Sequence, residues 1–198
     1  MSFILQAKAD DLTADPFADD WASHGYVANY IRLYARRPAV YAGWKQLLGA
    51  IRANMDPRRY ELVTLAVARR LRSSYCSLAH GKVLRDEFYD AATVRAIVTD
   101  HSHAGLAPVD VAVMDFADQV ARDATSVRAA DVEDLRDHGL SDDEILDVAL
   151  AAALRCFFSK VLDAMGVEPD AAFRDLLEPD LHQALTVGRP IAAAPGRG

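Results

Sequence analysis

The chain has 198 residues, with 22 Lys and Arg against 29 Asp and Glu and a formal net charge of -7. At that length it is most simply one domain that buries a core without staples, and 52% hydrophobic with 26% charged residues excludes a disordered chain. The acidic balance argues against a phosphate-backbone partner, which draws its affinity from clustered Lys and Arg, so no nucleic acid is expected. Two cysteines, Cys76 and Cys156, cannot build a disulfide framework and fit a reducing compartment. The start, MSFILQAKADD, lacks a basic leader, and the longest inner apolar run, Val148 to Leu154, stops at Arg155. A membrane span needs about 20 such residues, so a cytoplasmic protein without a membrane anchor is expected.

In chain order the periodicity predicts helices throughout. Val27, Tyr30, Ile31 and Tyr34 share a stripe over Tyr26 to Arg36, and Pro38 then opens a second segment with Val40, Trp44, Leu47, Leu48 and Ile51 on one face. Pro57 starts a third, over Arg58 to Arg72, whose apolar surface is wide enough to be buried on most sides. Ser73 and Ser74 offer N-cap hydroxyls for a fourth, Tyr75 to Glu87, and Asp90 caps a short fifth. HSHAGLAP reads as a loop before a sixth helix over Val109 to Arg122, and a short seventh stops at Gly139. Ser141 with Glu144 is a capping box opening the longest helix, which Gly166 closes; its apolar residues surround it, which predicts a central position. Asp170 to Leu185 adds a last helix. The reading is all-α, antiparallel helices in a single domain over 1–186 with an N-terminal arm, followed by a flexible tail over 187–198.

Chemistry concentrates between Glu61 and His80. Cys76 and His80 are four apart and share one helix face. Cys76 also lies in the first turn, where free N–H groups and the macrodipole favour a thiolate. Glu61 is the only acid of an otherwise apolar helix, so its carboxylate needs a partner. Carboxylate, imidazole and thiol within reach of each other form a proton relay that deprotonates sulfur. Each residue also has a plainer reading: Cys76 as a small buried side chain, His80 as a satisfied histidine, Glu61 as a surface acid, Ser73 as a cap.

The pattern Glu61, Cys76, His80, Gly81 resembles the AhpD-like superfamily, which includes alkylhydroperoxidase D and carboxymuconolactone decarboxylase. The similarity extends upstream through GYVANYIRLYARRPAVYAGW and downstream to ALRCFFSKVLDAMGV. It implies an all-α fold, a homo-oligomer, commonly a trimer or hexamer, and a small-molecule substrate. In redox members the motif is C-x-x-C-x-x-x-H. Here Ser73 stands where the first cysteine belongs, so the intramolecular disulfide of a dithiol cycle is not available. By this resemblance Cys76 is the nucleophile, His80 its base and Glu61 the group that orients and charges the imidazole. Tyr75 stands where some members carry a second histidine.

The reading that follows is a peroxidase-related protein acting on a hydroperoxide, with an external thiol completing the cycle. A decarboxylase-like lyase, in which His80 and Glu61 move protons on a small carboxylated compound, is the alternative, and a non-catalytic oligomeric binding protein is a third. No cofactor and no metal are expected: His101 and His103 lack companions at ligand spacing, and no nucleotide, hydrolase or zinc-protease motif occurs. Cys156 reads as core, with a resolving thiol as the alternative. Arg155 and Lys160 are cations in an apolar helix, read as ion pairs at a subunit contact or as pocket-lining groups.

Overall fold

The computed structural model describes residues 2–5 and 26–194. Among the described residues the fold is all-α, without strands. Its helices are α1 (Asn29–Tyr34), α2 (Pro38–Arg52), α3 (Pro57–Arg70), α4 (Ser74–Glu87), α5 (Ala91–Asp100), α6 (Pro108–Asp123), α7 (Ala129–Asp137), α8 (Asp142–Ala164), α9 (Phe173–Leu176) and α10 (Pro179–Leu185). Single 3-10 turns at His101–His103 and Ala124–Ser126 follow α5 and α6. Of the expected N-terminal arm, residues 6–25 lie outside the described residues.

Capping chemistry sets several boundaries. Asp56 accepts from the Arg59 N–H at 2.8 Å ahead of Pro57 at the first turn of α3. Asp90 accepts from Thr93 N–H at 2.7 Å. At α8 the capping box is complete: Glu144 Oε2 accepts from Ser141 N–H at 2.8 Å, and Ser141 Oγ accepts from Glu144 N–H at 3.3 Å. Gly166 ends that helix at φ +70°, a conformation that an L side chain adopts only under strain.

α3 is the helix at the centre, packed against α4, α6 and α8. Leu62 through Ala68 are buried without interruption, as the width of its apolar surface predicts. α8 packs against α2, α3, α4, α6 and α7, as its expected central place requires, but its apolar surface is not covered all round. Leu146, Leu150 and Phe157 of α8 stand exposed, at 57%, 40% and 44% of their surface, beside exposed Val40 and Leu47 of α2. Periodicity reports how wide an apolar surface is, not whether another element covers it. The last expected helix is likewise two, because the residue before Pro179 is driven out of the helical region and Leu177 is extended.

The expected flexible tail is held in place over 187–194. Gly188 N–H donates to Ser74 Oγ at 2.7 Å, Ala192 N–H to Pro169 O at 2.9 Å, and Arg174 Nη2 to Ile191 O at 2.7 Å, with Ile191 buried. A Cβ at Gly188 would lie 2.0 Å from Arg72 O, so only glycine allows this crossing. Residues 195–198 lie outside the described residues. No helix among the described residues is long and apolar enough to cross a membrane.

Candidate functional site

The site is made by a tight reversal. α3 ends at Arg70, and Arg72, in the left-handed region at φ +56°, turns the chain into Ser73 and α4. α4 then lies back along α3, which sets Glu61 near the start of one helix opposite His80 at the middle of the other. Glu61 is 3% exposed and Cys76 2%.

The His80 Nδ1–H group faces Glu61 Oε2 at 2.5 Å. Burial pushes the Glu61 carboxyl up, but His80, Arg52 and Arg155 outweigh it and hold it below the ordinary carboxylate range. Burial and Arg155 push His80 down by more than Glu61 lifts it. At neutral pH the pair is thus a carboxylate and a neutral imidazole. An ionised carboxylate only accepts, so Nδ1 carries the proton and Nε2 keeps a free lone pair. Arg52 Nη2 approaches Glu61 Oε1 at 3.9 Å from the rim, its guanidinium 5.1 Å from the Tyr60 ring. The edge of Tyr60 meets the imidazole ring, with centroids 6.2 Å apart.

Cys76 shares the His80 face of α4, yet among the described residues its hydrogen-bond partner is Arg155, not His80. Arg155 Nη1 lies 3.6 Å from Sγ, and Nη2 donates to the Tyr60 hydroxyl at 3.3 Å. Arg155 is 4% exposed. The expectation of an ion pair at a subunit contact is corrected here: the guanidinium points inward, over the Phe158 ring at 5.6 Å. Burial alone lowers its affinity for the proton, and Cys76 and Tyr60 more than restore it. Tyr34 also feels Cys76; its hydroxyl is buried without a hydrogen-bond partner among the described residues, and its pKa is raised by burial, then by Cys76.

The two supporting residues fall elsewhere. Tyr75, one position before Cys76 and so about 100° around the helix, donates its hydroxyl to Asp170 Oδ2. Asp170 also accepts from Asn29 N–H at 2.7 Å and Tyr26 Oη at 3.4 Å, a buried junction tying α1 and α4 to the segment after α8. Tyr75 is not joined to the Glu61–His80 pair. Ser73 occupies the N-cap position of α4, but its hydroxyl makes no cap hydrogen bond; the side chain is fully buried. Ser74, expected to cap, instead accepts from the Gly188 N–H. Both thiols are free, Cys76 buried and Cys156 half-buried in α8, where burial pushes its thiol up. His101 and His103 bind separate carboxylates, Asp115 at 2.8 Å and Asp100 at 2.7 Å. Among the described residues no cluster of three or more His, Cys, Asp or Glu is placed to hold a metal ion.

Arg155, Tyr60 and Tyr34 are thus the site residues that sequence patterns do not place there. The one signal was the cation itself, Arg155, inside the apolar run of α8.

The helical arrangement is an AhpD-like fold, and solved structures bear this out. An uncharacterized peroxidase-related protein from Ralstonia eutropha JMP134, described as an alkylhydroperoxidase AhpD core, superposes with a TM-score of 0.77 at 23% identity over 87% of this chain and 94% of that one. A peroxidase-related protein from Silicibacter sp. TM1040 gives 0.72 at 23% identity, over 85% and 93%. A Cys-to-Ala variant of the debrominase Bmp8 in complex with 2,3,4-tribromopyrrole gives 0.73 at 14% identity, over 86% and 93%. No protein-family model and no curated protein sequence matches the chain.

Proposed function

We propose that the protein is a peroxidase-related enzyme in which Cys76 reduces a hydroperoxide at the expense of an external thiol. The observation that carries this reading is the Glu61–His80 hydrogen bond, with a neutral imidazole one helical turn from a buried cysteine that a guanidinium contacts. His80 Nε2 takes the thiol proton. The sulfur attacks the terminal oxygen of ROOH, the O–O bond breaks, and the alkoxide RO⁻ leaves with the proton that His80 returns. Sulfur is oxidised by two electrons to the sulfenic acid Cys76–SOH. One external thiol displaces water from it to form a mixed disulfide, and a second releases Cys76 as thiol together with the external disulfide. Ser73 offers no second sulfur, which is why the reductant is external. With cumene hydroperoxide and dithiothreitol, the protein is expected to consume one peroxide per dithiothreitol oxidised. No consumption above the protein-free rate would overturn the reading.

A second reading is favoured by the same pair, because a carboxylate and a neutral imidazole move protons without sulfur. In it the protein is a lyase acting on a small carboxylated compound, and Cys76 lines the pocket. The debrominase complex is a case of this fold holding a small organic molecule, in that protein.

The first reading also carries a homo-oligomer, a trimer or hexamer. Its support is the uncovered apolar groove of about 420 Å³ between α2 and α8, lined by Val40, Leu47, Leu150 and Phe157. Light scattering is expected to give a multiple of the 21.6 kDa chain mass, and Phe157→Glu to reduce it. A monomeric wild type would contradict the oligomer.

A further inference from the structure

The Arg155 guanidinium is almost wholly buried, and among the described residues no carboxylate lies within ion-pair distance of it. A buried cation with no ion pair of its own is costly, and ionised Glu61, which feels its charge, stands outside ion-pair distance. Its contacts are Cys76 Sγ, the Tyr60 hydroxyl and the Phe158 face, while Nε has no hydrogen-bond partner. A second donor nearby is also unpartnered among the described residues: the buried Tyr34 hydroxyl, on a ring that stacks at 5.3 Å on the Phe158 ring over which Arg155 lies. A folded chain leaves few buried donors unsatisfied, and two on the residues grouped around the Arg155–Cys76 contact mark a place prepared for negative charge.

From this geometry we infer that Arg155 is a catalytic residue: its guanidinium is the counter-ion of the Cys76 sulfur and, with the Tyr34 hydroxyl, receives the charge that develops on the leaving oxygen. The arrangement divides the work. Glu61 and His80 handle the proton, and Arg155 and Tyr34 handle the charge. Arg155 reaches the sulfur from α8, so the two halves of the site come from different parts of the chain. The groups that contact the sulfur or its counter-ion, or feel their charge, include Tyr34 from α1, Tyr60 and Glu61 from α3, His80 from α4 and Cys156 from α8.

The inference rests on Cys76 being the reactive thiol, and its test needs no peroxide. Alkylation of the intact protein is followed at the Cys76 peptide by mass spectrometry, using neutral iodoacetamide and anionic iodoacetate across pH. A guanidinium at the sulfur draws in the anionic reagent. Arg155→Met removes that charge and is expected to lower the iodoacetate to iodoacetamide rate ratio by about tenfold, down to that of glutathione. Arg155→Lys keeps the charge and should retain part of the preference, so it serves if the methionine variant fails to fold. Tyr34→Phe removes a hydroxyl with no partner, and is expected to lower peroxide turnover without slowing alkylation or lowering the melting temperature. An unchanged ratio in Arg155→Met, or in Arg155→Lys where it stands in, would overturn the inference even if the enzyme reduces peroxide. The expected fall in the ratio without peroxide turnover would leave Arg155 as counter-ion and overturn the peroxidase reading instead.

Discussion

Replacing Cys76 with Ser is expected to lower hydroperoxide consumption by about 10³-fold or more, the scale on which loss of an activated nucleophile acts. The substitution changes one atom and keeps an acceptor facing Arg155 Nη1, so the guanidinium, 3.6 Å from the sulfur in the parent, stays partnered and the fold survives. What is lost is chemical. A neutral hydroxyl is a poor nucleophile toward an O–O bond, and oxygen has no counterpart of the sulfenic acid on which the thiol-dependent cycle turns. Circular dichroism and the rate of cumene hydroperoxide loss check both halves. The same variant separates the two readings: undiminished turnover of a lactone or related acid in Cys76→Ser would assign the chemistry to Glu61 and His80 alone. A variant that binds such a compound, from a parent that turns over neither class, would point to a binding protein.

The second large effect is expected from Glu61→Gln. Glu61 does not touch the substrate in the proposed cycle; it fixes the imidazole tautomer and orientation through the 2.5 Å bond to Nδ1. Its amide replacement is expected to slow turnover by about 10²- to 10⁴-fold. A merely structural role would not move the pH profile, whereas this one does. Activity requires neutral His80, so the acid limb of the wild type falls below the ordinary imidazole value of 6.5, in the direction that burial and Arg155 push it. Glu61 opposes that push, so its loss moves the limb further down in pH. Stability runs the same way. Both groups have folded values below their ordinary ones, so their contribution is present above the unfolded values and lost as pH falls through the folded ones. Acidification below 6.5 first destabilises through His80, and below 4.5 through Glu61. Because His80 is pushed further down in the variant, the stability gap between wild type and Glu61→Gln should widen as pH falls below 6.5 and close below 4.5 as Glu61 takes up its proton, as urea unfolding at several pH values will show.

Much of this was legible because it is local. The i, i+4 spacing of Cys76 and His80 fixes a shared helix face, and a lone acid in an apolar helix foretells a buried partner. The link between Arg70 and Ser74 is short enough that α3 and α4 must pack together, so Glu61 and His80 meet. Arg155 is different: it is 79 residues from Cys76 in the chain, and nothing in the pattern of α8 says which way a buried cation points. Tyr75 shows the limit of proximity, since one residue along a helix turns the side chain toward Asp170 and away from the thiol face. The ordered crossing at Gly188 was hidden for a similar reason. VGRPIAAAPGRG is composed like a tail, and what ties down its start at Val187 and Gly188 is the Arg72 side chain and Ser74 hydroxyl, more than a hundred residues earlier. The split of α9 from α10, in contrast, was written in Pro179.

The most direct test of a sulfenic acid at Cys76 is trapping. The protein is treated with one equivalent of cumene hydroperoxide in the presence of dimedone, digested, and the Cys76 and Cys156 peptides are compared by mass spectrometry. The account predicts stoichiometric label on Cys76, none on Cys156, and loss of the label when dithiothreitol precedes dimedone. Peroxide consumed without label on Cys76, or label confined to Cys156, would contradict it.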